Sequence, residues 1–177
     1  MPIVIALTIH EVGHLIAASI LNIKFQRIKI TLLGFNLSAD LENISLFKKN
    51  IIFFAGPFLN ILVFCILRYT EYYSFAEINL FLSLINMIPI VPLDGGNICK
   101  SVLESIIDCN SVCRYMIMTN CFFIVCFLVI IYMYKNWFYL LLIVMAVRGI
   151  IEVNRYMLEK SIKYNYYNKF KRKNRAY

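Results

Sequence analysis

Long runs of apolar residues constrain the fold of this 177-residue chain more than any other feature. Hydrophobic residues make up 61% of the sequence and the mean hydropathy is +0.72, so a soluble domain of this length could not bury all the apolar surface. The sequence therefore predicts an all-α polytopic membrane protein with about five transmembrane spans. The predicted spans are Pro2 to Leu21, Ile51 to Leu67, Ile78 to Pro92, Met116 to Tyr134 and Trp137 to Ile151.

Basic residues predict how these spans are oriented. Of the 18 Lys and Arg residues, only Arg68 and Lys135 fall outside the segments that this topology places in the cytoplasm, as the positive-inside rule expects. Topology then accounts for the net charge of +8, and the basic run Lys169–Arg175 is expected to meet anionic lipid rather than nucleic acid. We expect a membrane-embedded domain over residues 1–152 and a basic cytoplasmic tail over residues 153–177, in a multi-pass integral membrane protein.

Two segments depart from the pattern of apolar helices. Between the first two spans, apolar and polar residues partly alternate around Gly34, which predicts a small membrane-associated β-hairpin region. In the third span, Pro89, Pro92 and the pair Gly95-Gly96 cannot continue a regular helix, so this span is expected to be broken. A broken backbone at membrane depth is tolerated only against protein or a water-filled cavity.

The only two histidines, His10 and His14, stand four residues apart in the sequence His-Glu-Val-Gly-His, inside the first predicted span. On a helix these positions share one face, so both imidazoles can hold one Zn²⁺ while Glu11 acts as general base on the bound water. Ionisable residues within a span are costly and rare, which argues against a chance occurrence. The predicted cofactor is Zn²⁺ and the predicted catalytic residue is Glu11.

A catalytic zinc site needs a third protein ligand and an open position for water. The chain has three aspartates, of which Asp40 and Asp108 lie in polar segments with ordinary surface explanations. Asp94 follows the apolar run that breaks at the prolines, so we predict it as the third ligand. If Asp94 is considered without the histidine motif, it could equally cap a helix or stabilise a turn.

Three motifs in a fixed order resemble the site-2 protease family of intramembrane zinc metalloproteases. They are the His10–His14 pentapeptide, the Gly-Pro-x-x-Asn element at Gly56–Asn60, and Asn-x-x-Pro-x-x-Pro-Leu-Asp-Gly at Asn86–Gly95. Within the family the sequence is most similar to the sporulation-type branch of stage IV sporulation protein FB. The resemblance implies hydrolysis of a peptide bond in a membrane-associated protein, a pro-sigma factor processed during sporulation at the forespore-engulfing membrane. It also implies a bacterial cell membrane as the location and membrane inhibitor or activator proteins as partners.

Two asparagines of these motifs are candidates for substrate binding. Asn86 could hydrogen-bond an unwound substrate backbone, or it could cap its own broken helix, and Asn60 has the same two alternatives. Two other functional classes are compatible with the motifs: a catalytically inactive zinc-binding membrane chaperone or binding protein, and a zinc transporter. The transporter is disfavoured because one such motif supplies a single tight zinc site, whereas transport needs a series of sites along which the ion can move.

Overall fold

A computed structural model describes residues 1–23, 25–31, 34–39 and 44–173. Two strands, β1 (Phe25–Thr31) and β2 (Gly34–Ala39), pair antiparallel with Ile28 opposite Leu37. The helices are α1 (Pro2–Ile20), α2 (Leu46–Leu67), α3 (Tyr73–Asn86), α4 (Asp94–Glu104), α5 (Cys109–Tyr134) and α6 (Phe138–Lys173).

Three of the described helices, α1, α2 and α5, are long and apolar enough to cross a membrane. The fold-class prediction of about five spans is therefore wrong for the described part of the chain. Helix α3 has 14 residues, which give about 21 Å at 1.5 Å per residue, short of a hydrocarbon core of about 30 Å. In α6, Arg148 and Glu152 interrupt the apolar run. The predicted hairpin corresponds to the antiparallel pair of β1 and β2, whereas the membrane association that the fold class gave it is not shown, since every membrane-crossing candidate in the described chain is a helix.

The chain leaves helical structure between α3 and α4. Helix α3 ends at Asn86 and α4 begins at Asp94, with Leu93 in extended conformation just before it. Gly95 lies so close to the carbonyl of Met87 that a Cβ atom there would collide with it, so the first turn of α4 packs directly on the end of α3. The interruption expected from the two prolines and the glycine pair is present, and it places Asp94 at a helix N-terminus.

The chain divides into two compact units. The first comprises Met1–Pro89 and Leu93–Ser105, in which α2 packs against α1, α3 and α4. The second comprises Ile90–Pro92 and Ile106–Tyr177, in which α5 packs against α6. Because α6 runs as one helix through residues 152 and 153, the proposed division into a membrane domain and a tail stays a prediction.

Several polar side chains are buried and many large apolar side chains are exposed, which is unusual for a soluble protein. The membrane-length helices are only 33% (α1), 22% (α2) and 17% (α5) buried. Large apolar residues such as Ile3, Phe58 and Val125 are more than half exposed. Such extensive apolar surface is what a hydrocarbon environment requires. Among the described residues, the buried polar ones are His10, Glu11, His14, Asn60, Asn79, Ser83, Ser101 and Asn120.

Candidate metal centre

Three side chains from two distant parts of the sequence meet inside the first unit. His10 and His14 come from α1, and Asp94 comes from the start of α4. The Nε2 atom of His10 lies 2.9 Å from Asp94 Oδ2, and the Nε2 atom of His14 lies 3.3 Å from the same oxygen. The two Nε2 atoms are 3.2 Å apart. All three side chains are largely buried, so these donor atoms face one another away from solvent.

The separations among these donor atoms fit a single zinc ion. Zn²⁺ binds histidine nitrogen and carboxylate oxygen at about 2.0–2.2 Å, so tetrahedral ligands should be about 3.3 Å apart. The observed triangle of 2.9, 3.2 and 3.3 Å is close to that spacing. Two histidines and one carboxylate are also a donor set that zinc enzymes use, with the fourth position left for water.

A backbone carbonyl of α2 fixes the tautomer of His14. The Nδ1 atom of this ring lies 2.7 Å from the carbonyl oxygen of Ile52, where it can only act as the donor. With its proton on Nδ1, a neutral His14 presents the lone pair of Nε2 to Asp94 and His10. Such an arrangement of acceptors is stable when a cation lies between them, and a fixed second nitrogen is the usual companion of a metal-bound histidine.

Two glycines allow α1 and α2 to approach closely enough for these contacts. A Cβ atom on Gly13 would lie 2.6 Å from the carbonyl oxygen of Ala55. A Cβ atom on Gly56 would collide with Nε2 of His14 and would lie 2.9 Å from Cε1 of His10. The absence of a side chain at position 56 therefore leaves the space that both imidazole rings occupy.

Asn60 is fully buried next to the other histidine. Its side-chain nitrogen lies 3.4 Å from Nδ1 of His10, and its side-chain oxygen is buried without a hydrogen-bond partner among the described residues. Gly56 and Asn60 are four residues apart on α2, just as the two histidines are on α1, so one face of α2 meets one face of α1. The structure thus brings Asn60 to the histidine pair, while its role in binding substrate stays a prediction.

Asp94 is held in place by the helix that it begins. A carboxylate in the first turn is favoured by the helix dipole, and α4 is joined to α2 by an ion pair of 3.6 Å between Lys49 and Glu104. Ser101 adds a hydrogen bond to Asn50.

Two further predicted site residues have different surroundings. Glu11 is 9% exposed and follows His10 directly on α1, so a carboxylate accompanies the three donor atoms in the buried region. Asn86 is the last residue of α3, and its side-chain nitrogen donates to the carbonyl of Leu82 at 3.0 Å. This bond gives a hydrogen-bond donor to one backbone carbonyl in the last turn of α3. Substrate binding by Asn86 stays a prediction.

Sequence reasoning did not identify two contributors to this centre. Ile52 acts through its backbone carbonyl, which no side-chain pattern can reveal. Gly56 was recognised only as part of a motif, although its spacing of four residues from both Ile52 and Asn60 matches that of the two histidines. A search for equal spacing on a second apolar helix would have pointed to this face of α2.

The chain is similar to several known proteins. The model of Peptidase family M50 matches residues 69–131, which include Asp94. A Synechocystis protein that carries the name zinc metalloprotease sll0528 is 30% identical over 109 residues, which are 55% of this chain and 29% of that protein. The chain therefore matches less than a third of that relative's length.

The fold also has a counterpart among solved structures. The site-2 protease from Methanocaldococcus jannaschii superposes with a TM-score of 0.69, covering 85% of this chain and 74% of the other. At 20% sequence identity, this match shows a shared fold. The chain is thus similar to Peptidase family M50 over residues 69–131, and it shares its fold with the archaeal site-2 protease.

Proposed function

We propose that this protein is an intramembrane zinc metalloprotease that hydrolyses a peptide bond of a membrane-associated protein. The observation that carries the proposal is the convergence of His10, His14 and Asp94 beside the buried Glu11. A hydrolase needs a carboxylate that can accept the proton of the attacking water, and Glu11 directly follows one of the three donor residues on α1.

His10, His14 and Asp94 would hold the zinc ion. When bound, zinc supplies a Lewis acid that polarises the scissile carbonyl and makes a bound water more acidic. The carboxylate of Glu11 accepts the proton from the attacking water and then passes it to the nitrogen of the leaving amine. The apolar surroundings of α1 exclude bulk water and strengthen these interactions.

A substrate in the membrane must be locally unwound before it can react, because the amides of a helix are already paired. Asn86 stands at the end of α3, just before the non-helical segment that leads to Asp94. We propose that Asn86 hydrogen-bonds the extended substrate backbone there. This role is compatible with its bond to Leu82, which uses only one of the donors of the amide.

The finer proposal for the substrate is a pro-sigma factor processed during sporulation, at the forespore-engulfing membrane. Its support is the similarity of the three motifs to the sporulation-type branch of the family. We also propose that the protein crosses the membrane several times, contacts membrane lipid and is regulated by membrane inhibitor or activator proteins. Co-expression with candidate pro-sigma factors tests it, since a substrate gains mobility on a gel when it is shortened.

The test of the reaction itself is the substitution Glu11→Gln, assayed against a co-expressed membrane-associated substrate. We expect the variant to lose cleavage because the amide cannot accept the proton, while the zinc ligands are unchanged. Glu71→Gln is the matched control, because Glu71 is exposed in the turn before α3 and should leave cleavage intact. Cleavage by the Glu11→Gln protein would refute the general-base role, and a zinc-loaded wild type that cuts no substrate would favour a binding protein.

A further inference from the structure

We propose that Asn60 is a positioning residue for His10: its side-chain oxygen accepts a hydrogen bond from Nδ1–H of the ring and so leaves Nε2 to bind the metal. The inference rests on the proposed zinc site and adds a residue that orients one of its ligands. It concerns metal affinity rather than substrate binding, and thus gives Asn60 a role different from the two that the sequence suggested.

The first support is the arrangement of α2 against the histidine pair. Ile52, Gly56 and Asn60 follow one another at intervals of four residues, so they form a single row on α2. At one end of the row, the Ile52 carbonyl accepts from Nδ1 of His14 at 2.7 Å. In the middle, Gly56 gives the rings their space. At the other end, the side-chain amide of Asn60 lies 3.4 Å from Nδ1 of His10, in the position equivalent to that carbonyl.

The second support is an unsatisfied buried atom. The oxygen of the Asn60 amide has no hydrogen-bond partner among the described residues, although the side chain is 0% exposed. The two ends of an amide have nearly the same shape, and hydrogen-bonding partners decide which end points where. Turning the amide by half a rotation brings the unsatisfied oxygen to Nδ1 of His10 and gives the ring the acceptor that a metal-bound histidine normally has.

The opposite orientation has a different chemical consequence. If the amide nitrogen donates to Nδ1, then a neutral His10 carries its proton on Nε2, which faces Asp94 at 2.9 Å. A protonated Nε2 can hydrogen-bond the carboxylate but cannot bind a metal. Only the orientation with oxygen towards the ring is compatible with all three donors binding one ion.

The test compares two substitutions that differ in what they can accept. Asn60→Leu keeps the approximate size and removes the acceptor, so we expect zinc affinity, measured by competition with a chelator in detergent, to fall about 10- to 100-fold. Asn60→Asp keeps an oxygen that can only accept when ionised, so its zinc affinity should stay within about threefold of wild type or increase.

Asn79 provides the matched control within the same unit. It is 0% exposed on α3 and donates to the carbonyl of Phe75 in the same helix at 2.9 Å. Asn79→Leu and Asn79→Asp should therefore leave zinc affinity unchanged, even if they lower the melting temperature. Wild-type affinity in Asn60→Leu, or equal losses in Asn60→Leu and Asn60→Asp, would overturn the inference.

A second measurement needs no substitution. Because the chain has only two histidines, the ¹⁵N spectrum of zinc-loaded wild-type protein labelled at histidine contains just two rings. We expect both rings to be protonated at Nδ1 and metal-bound at Nε2; a ring without a proton at Nδ1 would contradict the inference. A wild type that binds no zinc would instead sink the proposed function, so the two failures are distinguishable.

Discussion

At the scale of single residues, the centre depends on what α2 presents to the two imidazole rings. An acceptor at Ile52, open space at Gly56 and an amide at Asn60 together determine where the rings lie and which nitrogen of His14 carries the proton. The ligands themselves are only part of the site, because a ring that is free to rotate or to change tautomer binds metal weakly.

Gly56→Ala tests the importance of this space. The added methyl group would collide with the nitrogen of His14 that faces Asp94, so the ring must turn away or the two helices must separate. We expect zinc affinity to fall at least about tenfold, because mutating a group that orients a metal-binding side chain typically weakens metal binding by this amount. The measurement is chelator competition on detergent-purified protein, with the melting temperature recorded alongside. Unchanged zinc affinity in a folded Gly56→Ala protein would show that the rings are not confined by α2.

At the scale of helices and strands, the sequence predicted where helical structure stops better than how many helices cross the membrane. Pro89 and Pro92 act locally, because each removes an amide donor and restricts its neighbour, so the break after Asn86 could be predicted from residues alone. The number of spans depends on helix length, and an apolar run does not show that α3 begins only at Tyr73 and so has 14 residues. The contacts between α1 and α2 depend on tertiary packing, and for that reason Ile52 and Gly56 could not be assigned.

Asp108 lies at the N-terminus of α5, and its contribution to the stability of that helix end depends on pH. Its carboxylate accepts a hydrogen bond of 3.0 Å from the backbone nitrogen of Ser111 at the start of α5, and this bond holds the pKa of Asp108 below its ordinary value. A group whose pKa is lowered by folding stabilises the protein above the pKa of the unfolded state, and this contribution is lost as the pH falls through the folded value.

We therefore expect Asp108→Ala to lower the melting temperature at pH 7, and to lower it less at an acidic pH below the ordinary pKa of aspartate. Asp108→Asn is the control: asparagine also caps helices but does not titrate in this range, so the difference between Asp108→Asn and Asp108→Ala should not change with pH. Thermal unfolding in a detergent that is itself insensitive to pH provides the comparison. A constant difference between Asp108→Ala and wild type at both pH values would contradict the account of this cap.

At the scale of the whole molecule, the distribution of polarity is the dominant feature. Buried histidine, glutamate, asparagine and serine side chains lie beneath helices whose outer faces are apolar, which suits a chain surrounded by lipid. Composition alone indicated this environment, because 61% of the residues are hydrophobic. Composition could not indicate that the chain forms two compact units, since that division follows from which helices pack together.

The second unit contains its own close contact, between Gly149 on α6 and the non-helical residues 90–92. A Cβ atom at Gly149 would collide with the carbonyl oxygen of Val91, which also accepts a hydrogen bond of 3.2 Å from Asn120. Because backbone cannot move aside as a flexible side chain can, we expect Gly149→Ala to destabilise the fold by about 1–3 kcal/mol. Val147→Ala, on an exposed face of the same helix, should change stability by less than about 0.5 kcal/mol. Equal melting temperatures for Gly149→Ala and wild type would contradict this contact.

The most direct measurement of the central claim is the zinc content of the purified protein and of three variants, determined by mass spectrometry together with chelator competition. The account predicts one zinc ion per chain in wild type and in Glu11→Gln, because Glu11 is a base and not a ligand. It predicts loss of bound zinc in His14→Ala and in Asp94→Ala, since each removes one of three donors. An Asp94→Ala protein that retains zinc with wild-type affinity would contradict the convergence of these side chains on one ion.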